Sequence, residues 1–211
     1  MRRRACLFGL AALPLLAACS PKPGGKAMPP GSKVLALGDS ITHGTGASPG
    51  EDWPSLLTTR TGWQIENAGV PGDTTAGALQ RLPALLEQHR PALVIVELGG
   101  NDFLRRRPPA QVKEDLRRIL QLIRAQGAQA VLVAVPELSL MALVASRPGD
   151  APIYAELAGE EQVPLVAEVL SEVLGRPEWR ADQIHPNAAG YAALADGLAQ
   201  GLQSLGLLAA P

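Results

Sequence analysis

The sequence predicts an α/β fold: a three-layer α/β/α sandwich with helices on both faces of a mostly parallel sheet. Two observations carry that reading. Short apolar runs recur without polar alternation, as strands do when both of their faces are buried. Between them lie longer segments whose apolar residues return every three or four positions, the stripe of an amphipathic helix. Alternating strands and helices imply right-handed crossovers, and so parallel strands covered on both faces. Composition agrees. The 211-residue chain is 46% hydrophobic but only 3% aromatic, so its core is assembled mainly from Leu, Val, Ile and Ala. That length suits one globular domain, and that apolar content excludes wholesale disorder.

The first segment reads as an address rather than as fold. Arg2, Arg3 and Arg4 precede an apolar run over residues 5–16, and small residues close it. This is the layout of a secretory signal, and the run is too short to persist as a spanning helix. Leu16-Ala17-Ala18-Cys19 resembles the bacterial lipobox, which implies a lipid on Cys19 and membrane attachment through it. An ordinary signal peptide with an incidental cysteine is the alternative. The expected organisation is a lipoprotein signal peptide over 1–18, a flexible tether over 19–32 and one folded domain over 33–211. The tether, SPKPGGKAMPPGS from Ser20, has almost nothing to bury. The lipobox resemblance implies a periplasmic lipoprotein of a Gram-negative envelope. Ser20 rather than Asp after the cysteine implies the outer membrane.

Five strands are expected. Val34-Leu35-Ala36-Leu37, Ala92-Leu93-Val94-Ile95-Val96 and Ala130-Val131-Leu132-Val133-Ala134-Val135 are the continuous apolar runs. Trp63-Gln64-Ile65-Glu66 is weaker, and Val163-Pro164-Leu165-Val166 is an edge because its proline has no N–H to give. Two helical stripes lie between them, Ala78, Leu79, Leu82, Leu85 and Leu86, then Val112, Leu116, Ile119, Leu120 and Ile123; near the end Tyr191, Leu194, Ala195, Leu198 and Leu202 repeat the spacing.

In open α/β sheets ligands bind beyond the carboxyl ends of the strands. The loops there are 38–48, 68–74, 98–109 and 136–150, together with the segment before the last helix. They hold Gly38-Asp39-Ser40-Ile41-Thr42-His43-Gly44, Asn67-Ala68-Gly69-Val70-Pro71-Gly72-Asp73-Thr74, Leu98-Gly99-Gly100-Asn101-Asp102 and Asp182-Gln183-Ile184-His185-Pro186-Asn187.

These four blocks, in this order, resemble the SGNH (GDSL) hydrolase superfamily, above all its bacterial thioesterases, lysophospholipases and arylesterases. The likeness runs over about 33–205. It implies a flavodoxin-like five-stranded sheet and a serine esterase acting on lysophospholipids, short acyl or aryl esters and thioesters through an acyl-serine. It also implies that Ser40 is the nucleophile, His185 the base and Asp182 its orienter, with an oxyanion hole from Ser40, Gly72 and Asn101. The chemistry is consistent in its own right. A serine hydroxyl needs an imidazole to take its proton, and the imidazole needs an acid to hold its tautomer. The developing oxyanion needs preset donors, and a glycine N–H is unshielded.

Neighbouring residues offer rival readings. Gly46-Ala47-Ser48-Pro49-Gly50 matches G-x-S-x-G, but Pro49 lacks the N–H that this elbow requires after its serine. Ser48-Pro49-Gly50-Glu51 is better read as a helix capping box. His43 lies near Ser40 without an acidic orienter in its loop, His89 reads as a solvated helix end, and Asn187 also suits a helix cap. Asp39, Asp73 and Asp102 are expected to brace loops. Arg105-Arg106-Arg107 is either solvated charge or an attractor of anionic head groups. Leu138, Leu140, Met141 and Leu143 would line an acyl groove or form the buried face of a short helix.

The rest of the reading is exclusion. Nineteen Lys and Arg against twenty acids leave a formal charge of −1, no field for nucleic acid, which is not an expected partner. Two cysteines cannot staple a scaffold or build a Cys-rich zinc site. No P-loop, dinucleotide fingerprint or metal-ligand cluster appears, so no cofactor or metal is expected. The expected oligomeric state is a monomer. Rival functions are a carbohydrate O-acetyl esterase and a non-catalytic envelope-binding lipoprotein.

Overall fold

The computed structural model describes residues 24–137 and 148–209. The expected signal peptide, Cys19 and the Leu138–Leu143 segment lie outside the described residues. The sheet is built from β1 (Lys33–Gly38), β2 (Gln64–Gly69), β3 (Leu93–Glu97), β4 (Gln129–Val133) and β5 (Leu165–Val166). Its order is β2-β1-β3-β4-β5, with every neighbouring pair parallel. The chain leaves β1 toward one side of the sheet and β3 toward the other. The crevice at their carboxyl ends is therefore the topological switch point where such folds bind ligands.

Burial explains why these strands were recognisable. Val34 to Leu37 and Leu93 to Val96 are each at most 2% exposed, so both faces of β1 and β3 are covered and no polar alternation survives. The edges differ. β2 exposes Gln64, Glu66 and Asn67 and runs on to Gly69, longer than its apolar signal. At the other edge, the Pro164 carbonyl accepts from the Leu132 N–H at 2.9 Å, a role that needs no donor from the proline.

Helices α1 (Ser40–His43), α2 (Trp53–Thr61), α3 (Thr75–His89), α4 (Gly100–Leu104), α5 (Pro109–Ala125), α6 (Pro152–Glu161), α7 (Val169–Gly175) and α8 (Ala188–Ser204) fill the connections. All five stripe residues of α5 are fully buried, each stabilising the fold by about 2 kcal/mol. Those of α8 are buried too, whereas in α3 Leu79 and Leu85 reach only the margin of the core.

Two sequence expectations need correction. The capping box does not open a helix. Glu51 does accept from the Ser48 N–H at 2.8 Å, but Gly50 at φ 87° turns the chain away. Helix α2 starts five residues later behind Asp52, whose carboxylate accepts from the Ser55 N–H at 2.9 Å. Nor is the described part of the expected tether loose. Met28, 7% exposed, donates its N–H to Leu207 at 2.8 Å and accepts from the indole of the buried Trp63 at 3.2 Å. The Gly31 N–H reaches the Gly62 carbonyl at 2.7 Å. The Gly25 N–H reaches the Leu205 carbonyl at 3.0 Å and the Lys26 N–H reaches Gln129 Oε1 at 2.6 Å, so residues 24–32 are docked by one buried methionine and a series of backbone bonds.

Candidate active site

Ser40 stands where β1 stops. A Cβ at Gly38 would lie 1.9 Å from the Thr42 hydroxyl, so only glycine lets the strand turn directly into α1. Asp39 caps that turn by accepting from the Ile41 N–H at 3.0 Å, and Gly44, at φ 98°, ends it. The Ser40 Oγ lies 2.9 Å from His185 Nε2. His185 Nδ1 lies 2.7 Å from Asp182 Oδ2, while Asp182 Oδ1 accepts the backbone N–H groups of Ile184 and His185, each at 2.8 Å. One carboxylate thus shapes the turn and orients the ring. Its acceptance fixes the proton on Nδ1 and leaves the Nε2 lone pair facing Ser40; this tautomer is assigned from the hydrogen-bond network. Burial alone would raise the Asp182 carboxyl. The bonds from the His185 ring and the two N–H groups outweigh it and hold the group below its ordinary value.

The His185 segment is anchored independently of the triad. Asn187 caps α8 through the Gly190 N–H at 3.0 Å and donates to the Glu178 carbonyl at 2.9 Å. From α8, the Tyr191 hydroxyl donates to the Thr45 carbonyl at 2.8 Å, tying this segment to the loop after α1.

Asn101 sits in the first turn of α4, just past β3. Its Nδ2 donates to Asp39 Oδ2 at 2.9 Å, which fixes the orientation of the amide. An amide nitrogen carries two hydrogens, so a second donor remains for a ligand. Gly99 before it has φ 126°, and a Cβ there would strike the Tyr154 hydroxyl at 2.2 Å. That hydroxyl is already committed to the Leu98 carbonyl at 2.6 Å. Gly72, at φ 77°, needs its glycine for conformation rather than for space. Neither Ser40 nor Gly72 gives its N–H to an acceptor among the described residues. Its carbonyl accepts from Arg105 Nη2 at 2.9 Å, linking the Gly72 loop to the end of α4.

The floor of the site is acidic. Burial pushes the Asp39 carboxyl up to about 6, against the lowering effect of its bonds from Ile41 and Asn101. Glu97, at the end of β3 and 1% exposed, is pushed well above its ordinary range by burial and then by Asp39. It accepts from the Thr42 hydroxyl at 2.7 Å, while its other oxygen has no partner among the described residues. Among those residues, no group of three His, Cys, Asp or Glu is placed to hold a metal ion.

The structure brings Ser40, His185 and Asp182 into direct contact, Asn101 to them through Asp39, and Gly72 to the Asn101 helix through Arg105. His43 is exposed at the end of α1 and Ser48 lies in an exposed turn. His89 ends α3 with Nδ1 3.8 Å from Glu66. The three arginines separate by role. Arg107 is a structural cation, paired with the fully buried Asp102 and with Asp115. Arg105 braces Gly72, and only Arg106, at φ 56°, has neither duty among the described residues. Asp102 also accepts from the Thr75 N–H at 2.9 Å, and Asp73 from the Thr74 N–H at 2.9 Å. Both act as braces, as expected.

Sequence reasoning passed over Glu97 and Arg81. Glu97 had a signal, an acid between Val96 and Leu98 in a run otherwise buried on both faces. Arg81, nearly two turns into α3, had none.

Against known proteins, residues 36–193 match the family model of the GDSL-like lipase/acylhydrolases. The chain belongs to this GDSL family. A relative named thioesterase 1/protease 1/lysophospholipase L1, from Escherichia coli, is 42% identical over 179 residues, 82% of this chain and 84% of its own. An arylesterase of Vibrio mimicus is 36% identical over 178 residues, 81% of this chain and 88% of its own. Among solved structures, TesA superposes with a TM-score of 0.73 at 36% identity, covering 82% of this chain and 99% of the other. The five-stranded α/β sandwich is thus the GDSL hydrolase fold, and this GDSL protein is an enzyme, a carboxylic ester hydrolase.

Proposed function

We propose that Ser40, His185 and Asp182 carry out hydrolysis through an acyl-Ser40 intermediate. The observation that carries this reading is the unbroken chain from Asp182 through His185 to Ser40, at 2.7 and 2.9 Å. Ser40 Oγ attacks the acyl carbon as its proton passes to His185 Nε2, and Asp182 stabilises the imidazolium. The carbonyl oxygen becomes an oxyanion held by the N–H groups of Ser40 and Gly72 and by the second Asn101 amide hydrogen. Collapse breaks the bond to the leaving group, which takes the proton from His185. Water then attacks the acyl-enzyme by the same route, releasing the acid and restoring the Ser40 hydroxyl.

The substrates we assign are lysophospholipids, short acyl or aryl esters and acyl thioesters. The support is the activity in the names of the Escherichia coli and Vibrio mimicus relatives. A panel of p-nitrophenyl esters, a lysophospholipid, an acyl-CoA and acetylated sugars tests it. Turnover confined to the acetylated sugars would make the protein a carbohydrate O-acetyl esterase instead.

For location we propose a periplasmic lipoprotein anchored in the outer membrane through Cys19, supported by the basic, apolar and small-residue layout of residues 2–19. One lipid-bearing residue then holds the enzyme on the membrane. Cys19→Ser behind a cleavable secretion signal is expected to yield soluble enzyme of unchanged activity. Palmitate label on that variant, or its absence from the unaltered protein, overturns the anchor.

A further inference from the structure

One guanidinium beneath the site joins the two loops that must act on the same substrate atom. Arg81, in α3, donates Nη2 to the Gly38 carbonyl at 3.0 Å, Nη1 to the Ala68 carbonyl at 2.8 Å and Nε to Asp73 Oδ2 at 2.8 Å. Gly38 ends β1 and Ala68 is the penultimate residue of the adjacent β2, close to where the ladder runs out and carbonyls need new donors. Gly38 stands two residues before Ser40, and Asp73 directly follows Gly72. Arg81 is therefore a short covalent step from the nucleophile on one side and from the glycine donor on the other.

From this juxtaposition we propose that Arg81 is a positioning residue for transition-state stabilisation: its guanidinium sets the Gly72 N–H relative to the Ser40 turn. The inference rests on Ser40 and Gly72 having the roles assigned above. Three acceptors in different directions match the planar fork of an arginine, whereas a lysine ammonium is a single point charge on a flexible stem. Asp73 neutralises the cation, so what Arg81 supplies is geometry rather than field. Its side chain is 24% exposed, and it is the one side chain among the described residues that bonds Gly38, Ala68 and Asp73 together. The Gly38 carbonyl has a second donor, the Val70 N–H at 3.1 Å, and the Val70 carbonyl accepts from the Asp73 N–H at 3.0 Å, so a backbone relay spans the Gly72 turn and Arg81 clamps both of its ends. Arg105 holds the Gly72 carbonyl through one exposed bond, so Arg81 is the more buried of two grips on this loop.

Misplacing a reacting group by about 1 Å costs about 10²-fold in rate. Arg81→Met is therefore expected to lower kcat by about 10- to 100-fold on a neutral p-nitrophenyl ester with KM within about twofold. Affinity for a boronic acid, whose tetrahedral adduct on Ser40 places an oxygen in the hole, should fall in the same proportion as kcat/KM. Arg81→Lys should recover only a small part of the loss, and millimolar methylguanidinium should restore kcat to Arg81→Ala. A merely destabilising role predicts otherwise: a lowered Tm, with full kcat and boronate affinity at temperatures where the variant is folded. That result, or the absence of any rescue, overturns the proposal. If Arg81→Met fails to fold, the Lys variant and Arg81→Ala refolded with methylguanidinium give the same readouts. Should boronate fail to inhibit the unaltered enzyme through Ser40, the reading of the site itself falls. Inhibition of that enzyme with unimpaired Arg81 variants removes this inference alone.

Discussion

Replacing Ser40 by Ala is expected to lower kcat by about 10⁶, the loss seen when a serine nucleophile is removed from a hydrogen-bonded triad. The hydroxyl makes one side-chain bond, to His185, and the residue is 8% exposed, so the variant should fold and melt as the parent does. His185→Ala should cost a comparable factor, and the double variant no more than either, because a triad acts as a unit. The residual rate, about 10³–10⁴ above water, belongs to the oxyanion donors and to binding. Hydrolysis of a p-nitrophenyl ester measures the loss, and a fluorophosphonate probe that labels the parent at Ser40 reports the missing nucleophile. Ser48→Ala is the control and should keep full activity, since its serine lies in the exposed turn before α2. Retained hydrolysis in Ser40→Ala alongside a loss at Ser48 would move the nucleophile to the other loop.

How far the site could be read from residues alone depended on the sequence distance between partners. Asp182 and His185 are three apart, and one turn brings both to the same place, so their pairing was visible locally. Ser40 and His185 are 145 residues apart, and nothing in either segment points to the other. Only the order of the four blocks, set against the strand-end rule, joined them. The same distance hid the supports. Arg81 reaches Gly38 across 43 residues and Thr42 reaches Glu97 across 55. An arginine on a helix is indistinguishable by composition from solvated charge until the strand ends are in place.

The fold was legible for a physical reason that also explains its blurred margins. β1, β3 and β4 are covered on both faces, so burial writes itself into continuous apolar runs. β2 lies at an edge and keeps Gln64, Glu66 and Asn67 exposed, so its extent to Gly69 left no apolar trace. Met28 shows the converse. One buried side chain and the backbone bonds of Gly25, Lys26 and Gly31 dock a stretch whose composition reads as tether, because backbone groups can bond whatever the side chains and composition reports only an average.

Asn101→Ala is the second large effect, a fall of about 10²–10³ in kcat with KM nearly unchanged. That split follows from where the amide is tied. One hydrogen is spent on Asp39 at 2.9 Å in the resting enzyme, so the amide is oriented before substrate arrives. The other meets a neutral carbonyl oxygen in the ground state and a charged one in the transition state, and the bond strengthens as charge develops. Such a loss corresponds to about 3–4 kcal/mol of transition-state stabilisation. Asn101→Asp should be worse than Ala, because it sets a carboxylate against both Asp39 and the forming oxyanion. The alternative cause is the loss of a donor to Asp39, whose carboxyl is already pushed up to about 6 by burial and is lowered in part by this bond. The two causes separate by pH. An effect routed through Asp39 would shrink as pH rises well above 6 and that carboxyl ionises without help, whereas a missing oxyanion donor costs the same factor across that range. A kcat deficit of about 10²-fold or more that holds from pH 7 to 9 keeps Asn101 in the hole, and a kcat left intact takes it out.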